Sequence, residues 1–180
     1  MTAITAELTV VLTFALLTAV AATFLRDVLN AIIAFAAFSF GIAVAWLLLA
    51  APDVALTEAA VGAGITTVFF LVTIAKTVRP GGERLFEPIA WRSVAVVAVL
   101  VGALLTTVRS LPAVGAMNSP VATSRITEYY LGNAYDQTGV ENAVTAVLAA
   151  YRGFDTLGEA TVVIAAGLAV LLVLRQEAYV

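Results

Sequence analysis

A single glutamate interrupts an otherwise apolar run. Between residues 54 and 75 the only charged side chain is Glu58, and the next charge is Lys76. Insertion scales put an acidic residue at mid-span at about 2.5–3.5 kcal/mol, and less near a helix end. Such a residue normally faces a protein interior or a water-filled cavity. Two kinds of chemistry suit it there: passing on a proton, or holding Na⁺ through hard carboxylate oxygens. A second reading stays open, in which Glu58 is held by the positive end of its own helix. Gly62 follows one turn later on the same face, with Gly64 beyond it. Small residues let a neighbouring helix approach closely, and they also permit a kink or π-bulge, a frequent mark of function. Close packing explains the two glycines equally well. Thr57, Thr66 and Thr67 can orient a water or satisfy backbone groups freed by a broken helix. Asp53 reads as the N-cap of this segment, and it also stands at the mouth of a path to Glu58.

A second group of charges comprises Arg152, Asp155 and Glu159. The run Thr156-Leu157-Gly158-Glu159 matches a capping box, with Thr156 as N-cap and Glu159 at N3. Arg152 can pair with either acid across Gly153. A structural role accounts for these three, and they are secondary site candidates. The chain has no Cys and no His, which removes thiolate catalysis and Cys/His sites for zinc, iron–sulfur or haem. It also has no phosphate-binding loop, dinucleotide fingerprint or metal-ligand spacing, so no cofactor is expected. These absences argue against an autonomous enzyme. An autonomous transporter is disfavoured as well, because no inverted repeat is visible and only one carboxylate lies inside a span.

The elements that hold these residues follow from composition. Of 180 residues, 62% are hydrophobic and 12% charged, and the mean hydropathy is +1.05. A soluble domain carries roughly twice that charged share, so the chain belongs in a bilayer. The net charge of −3 points away from nucleic acid. Membrane helices of about 20 apolar residues are expected at 8–25, 28–51, 54–75, 93–108 (extended by the interfacial anchor Trp91) and 156–174. The first lacks a basic flank and reads as a retained helix rather than a cleaved signal. Residues 76–88, with Arg79, Pro80, Gly81, Gly82, Glu83, Arg84 and Glu87, read as a solvent loop. Residues 111–139 read as a long polar external loop. Residues 140–152 place Val140, Val144, Val147, Leu148 and Tyr151 on one face. That segment is too short to span and reads as an amphipathic helix at the interface or against a partner. The fold class is therefore all-α: a polytopic membrane protein with about five transmembrane helices and one short lateral helix. Arg26, Lys76, Arg79, Arg84, Arg92 and Arg175 fall on one side of such a topology, and Arg109, Arg125 and Arg152 on the other. The positive-inside rule then places the N-terminus outside and the C-terminus in the cytoplasm of a cell-membrane protein.

Two stretches resemble known families. The first is Ala51-Pro52-Asp53-Val54-Ala55-Leu56-Thr57-Glu58-Ala59-Ala60-Val61-Gly62-Ala63-Gly64. It is similar to a signature of the D-type subunit of energy-converting membrane-bound hydrogenases. The same signature occurs in the C-terminal part of the large A-type subunit of Mrp multisubunit Na⁺/H⁺ antiporters. The second runs from Asn142 to Leu148 and from Tyr151 to Glu159, and it is similar to the E-type subunit of the same hydrogenases. The chain thus looks like a D-type module (1–80) fused to an E-type module (81–180), related to the J-type subunit of respiratory complex I. The resemblance implies a π-bulge in the third helix and a role for Glu58 in moving H⁺ or Na⁺, with Asp53 and Thr57 beside it. It also implies partners: large antiporter-like subunits and a small K-type subunit within the bilayer. The function it implies is that of a non-catalytic subunit in an antiporter. The alternatives are a hydrogenase-type or complex I-like membrane arm and a purely structural scaffold. The long antiporter-like region that precedes this segment in the A-type subunit is not part of this sequence, whose only lysine is Lys76.

Overall fold

The structure is a computed structural model that describes residues 6–77, 85–86 and 88–176. Arg79 to Arg84 and Glu87, in the expected solvent loop, lie outside the described residues, as does the side chain of Arg175. The described residues are helical, without a named strand. Five helices among them are long and apolar enough to cross a membrane, so this is an all-α, multi-pass membrane protein. The chain forms two compact units, Met1–Gly115 and Ala116–Val180.

In the first unit, α1 (Ala6–Phe24) and α2 (Val28–Leu48) are joined by a short turn in which the Asp27 carboxylate caps α2. It accepts the Leu29 and Asn30 amides at 2.8 and 3.4 Å, satisfying donors that a helix start leaves open. α2 is the central element, with α1 on one side and α3 (Pro52–Ala75) on the other. Small residues make this possible. A Cβ on Gly41 would stand 3.0 Å from the Phe14 ring and 3.5 Å from Ala15 Cβ, so α1 lies close against α2. Across the other face, the Phe35 and Phe70 rings meet edge-on with centroids 5.9 Å apart.

The α2–α3 turn is tight. Ala50 adopts a φ of 60°, while the Ala51 and Ala50 amides donate to Trp46 O and Leu47 O. This is a Schellman termination. α3 then starts at Pro52, with Ala51 as N-cap and no side-chain cap bond. Asp53 therefore does not cap the helix as expected. It sits inside the first turn, because proline needs no amide partner and suits the first helical position.

α3 is not uniformly wound. Its middle nine residues, Glu58–Thr66, form a π-helix between two α-helical ends. A Cβ on Gly64 would lie 3.3 Å from the carbonyl oxygen of Ala59, five residues back. Thr67 Oγ1 donates to Gly62 O at 3.4 Å, also five residues back. The glycines open room for the wider turn, and the threonine supplies a donor where the ladder changes pitch. After α3, Leu85 and Phe86 return to the α1–α2 turn, with the Arg26 amide donating to Leu85 O at 3.0 Å. α4 (Trp91–Val108) completes this unit. Every residue of α4 is exposed, and an apolar helix bare on all sides needs lipid or a partner around it.

The second unit departs from the expected polar loop. Residues 125–138 form a helix, α5 (Arg125–Thr138). Ser124 caps it through the Thr127 amide at 3.0 Å, and Gly139 ends it with a φ of 71°. α6 (Ala143–Ala146), capped by Asn142, continues into a π-turn, Val147–Tyr151. The lateral segment is thus shorter than 140–152. It packs on α5 through the fully buried Ala146. Val144 and Leu148, on the expected apolar face, are about half exposed and line an apolar cleft of about 280 Å³ beside Tyr130 and Leu131.

A tyrosine cluster ties α5 to the π-turn. The Tyr130 ring lies 4.8 Å from that of Tyr151 and 5.8 Å from that of Tyr129. Tyr151 OH donates to Gln137 Oε1 at 2.5 Å, and Gln137 Nε2 donates to Tyr129 OH at 3.0 Å. Desolvation of the half-buried phenol, then the neighbouring Tyr129 and Tyr130, raise the Tyr151 pKa above its ordinary value of 10.0. A raised folded-state pKa stabilises the unit below the unfolded value, and that contribution is lost as pH rises through the folded one. In an alkaline titration, one phenolate absorbance step should therefore come later than for free tyrosine and should vanish in Tyr151→Phe.

α7 (Gly153–Gln176) starts three residues earlier than its expected cap. Thr156 is inside the helix, and its hydroxyl donates to Leu148 O at 2.7 Å. The capping-box reading of Thr156 and Glu159 therefore does not hold. The π-turn exposes the Leu148 carbonyl, and the threonine satisfies it instead.

Candidate functional site

Glu58 is the first residue of the π-segment and is half-buried. It lies six residues after Pro52, about 9 Å along the helix axis. It thus stands well inside the span and beyond the reach of the helix-end field, which fades within the first turn.

The carboxylate fills a particular space. A Cβ built on Gly62 would overlap Glu58 Oε1, would stand 2.9 Å from Ser39 Oγ and 3.1 Å from Ser39 Cβ. The missing side chain of Gly62 is therefore where the Glu58 carboxylate rests. From α2, Ser39 closes the same space. Its side chain is 2% exposed, and it is the one buried polar residue among the described residues. No basic side chain forms an ion pair with Glu58 among the described residues. The three groups come from two adjacent helices of one unit. Such a site sets a carboxylate and a hydroxyl side by side within an apolar span, and it can exchange a proton or hold a small cation.

The other candidates take different places. Asp53 is half-buried in the first turn of α3. Five residues separate it from Glu58, which points the two side chains around different faces of the helix. Thr57 is exposed, and its hydroxyl donates to Val54 O at 2.9 Å. The structure thus brings Glu58 together with Gly62 and Ser39, while Gly64 serves the π-winding.

In the second unit, Arg152 pairs with Asp155 through Nε and Nη2, and both side chains are exposed. Glu159 follows Asp155 by four residues on α7 and is also exposed. The three charges line one face at the start of α7, ahead of a stretch that is apolar from Ala160 to Leu174 apart from Thr161. Among the described residues, no group of three or more His, Cys, Asp or Glu could hold a metal ion.

Ser39 was visible in the sequence only as one of two polar residues in the second span. A lone serine in an apolar helix carries no specific signal, and its meaning comes from the glycine it faces on the next helix.

Comparison with known proteins agrees with this architecture. The MbhD family, described as the D subunit of MBH, matches residues 13–79. The MbhE family, described as the E subunit of MBH, matches residues 91–178. The chain is 30% identical over 160 residues to the putative antiporter subunit mnhA2 of Staphylococcus haemolyticus, covering 88% of this chain and 19% of that protein. It is 27% identical over 171 residues to the A subunit of the Na⁺/H⁺ antiporter of Bacillus subtilis, covering 93% and 20%. With the A/B subunit of the probable K⁺/H⁺ antiporter of Rhizobium meliloti it shares 32% identity over 135 residues, covering 71% and 13%. The chain spans about a fifth or less of the length of these curated relatives. With both family matches in order along one polypeptide, and five apolar helices beneath them, the chain belongs to the MbhD and MbhE families, joined D before E.

Proposed function

We propose that the chain is a non-catalytic membrane subunit of a multisubunit monovalent-cation/proton antiporter, with Glu58 as one station of its ion path. The observation that carries this reading is the Glu58 carboxylate, half-buried at the head of a π-segment and seated over Gly62 inside an apolar span. A purely structural glutamate would gain nothing from a position past the first helical turn, where no basic side chain among the described residues pairs with it. The similarity to antiporter subunits of three genera supports the cation/proton assignment. In this reading H⁺ and a monovalent cation such as Na⁺ are cargo, and no resident cofactor is needed. The partners are other membrane subunits, a small K-type protein and large antiporter-like proteins. The bare face of α4 offers them a place to pack. The N-terminus lies outside the cell membrane and the C-terminus in the cytoplasm, following the Lys and Arg distribution.

The two MBH family matches favour a second reading, a membrane arm of a hydrogenase-type redox complex in which the same module couples electron transfer to ion movement. Purification of the tagged chain in mild detergent from its own cells separates the two. Antiporter-like membrane subunits without a redox partner are the expected company. A copurifying nickel–iron or iron–sulfur protein would replace the first reading by the second. Transport by Glu58→Gln membranes tests the role of the carboxylate in either complex.

A further inference from the structure

We infer that Ser39 is a positioning residue for the Glu58 carboxyl group, its hydroxyl and the carboxylate converging on the side-chain space that Gly62 leaves empty. The inference rests on the proposed role of Glu58 for its functional meaning, but its geometry stands separately.

Most of this chain is open to its surroundings, as expected for a subunit without its partners. Against that background Ser39 is 2% exposed, while the other buried residues are Gly41 and members of the Ala, Leu and Ile core. A buried hydroxyl without a polar partner is unfavourable. Threonines in these spans solve the problem locally: Thr18, Thr23 and Thr73 return their hydroxyls to the carbonyl four residues back, at 2.8–2.9 Å. Ser39 shows no such bond to its own helix among the described residues. Its Oγ instead lies 2.9 Å from the point where a Gly62 Cβ would stand, and Glu58 Oε1 overlaps that same point. The two oxygens thus border one space, across which a single water or small cation can bridge them. The π-segment matters here, because it sets the register at which Glu58 and Gly62 face α2. A hydroxyl serves both states of the carboxyl, donating to the ionised form and accepting from the protonated one.

The test is infrared difference spectroscopy of the full-length chain, purified in detergent and stepped in pH. The carboxyl bands of Glu58, protonated or ionised, are those that disappear in Glu58→Gln. In Ser39→Ala, which removes one oxygen and adds nothing, these bands should shift in frequency because a hydrogen-bonding partner is lost. Ser39→Cys, with a similar volume and a weaker donor, should shift them partway. In everted vesicles containing the complete complex, Ser39→Ala should raise the apparent KM for the cation by roughly tenfold, with a smaller change in kcat. Glu58 bands that stay at their original frequency in both variants would overturn the inference, as would an unchanged KM. If Glu58→Gln itself transports normally, the proposed ion path fails instead, while the infrared shift still decides whether Ser39 holds the carboxyl group.

Discussion

Glu58→Gln is expected to bring cation-driven proton movement down to background while the complex assembles normally. Glutamine keeps the length of the side chain and its fit over Gly62, and loses only the charge and the titratable proton. The half-buried seat of Glu58 should accept it without repacking. A positioned acid or base contributes roughly 10²-fold or more to the step it serves, so the drop should be of that order. The measurement is dissipation of a pH gradient by added Na⁺ or K⁺ in everted vesicles, with subunit stoichiometry checked by copurification. Glu58→Asp is the informative companion. It keeps the acid but withdraws it by one methylene from the space above Gly62, so transport should be intermediate. Normal transport by Glu58→Gln would leave the chain as a scaffold that packs its partners and conducts nothing.

How far these features could be read from sequence depends on whether each one is local. Glu58 was legible because a charge inside an apolar run violates composition, and no tertiary knowledge is needed to see it. The five spans were legible for the same reason, with boundaries shifted by a few residues where caps decide them. The helix Arg125–Thr138 was hidden by its polarity and by Pro112 and Pro120 upstream. Its signals were present in the Ser124 cap, the Gly139 stop and the shared face of Ile126, Tyr130 and Ala134. The capping box at Thr156 failed for the opposite reason: a correct local motif was overridden. The π-turn before Arg152 leaves the Leu148 carbonyl open, and Thr156 serves it. Ser39 could not be read at all, because its importance lies in a contact between two helices and not in its own neighbours along the chain.

Gly62→Ala is expected to damage transport by a different route from Glu58→Gln, and the comparison separates chemistry from packing. A Cβ at residue 62 meets two neighbours of unequal tolerance. Glu58 Oε1 is the end of a flexible side chain and can swing away, but Ser39 Cβ at 3.1 Å belongs to the packed face of α2. The carboxylate should therefore leave its seat, while α2 and α3 separate slightly. Overpacking of this kind costs about 1–3 kcal/mol, so Gly62→Ala should fold with a lowered melting temperature and with transport well below normal. Gly62→Val, with two further methyl groups in the same space, should fail to assemble. Gly64→Ala provides the contrast. Its Cβ would lie 3.3 Å from Ala59 O, within its own helix and away from the carboxylate, so it should lower stability while keeping more transport than Gly62→Ala. Adding Ser39→Gly to Gly62→Ala removes the clash with α2 and should recover melting temperature without recovering transport. Recovery of both would mean that Gly62 serves only the packing of the helices, and that the place of the Glu58 carboxylate above it has no part in moving ions.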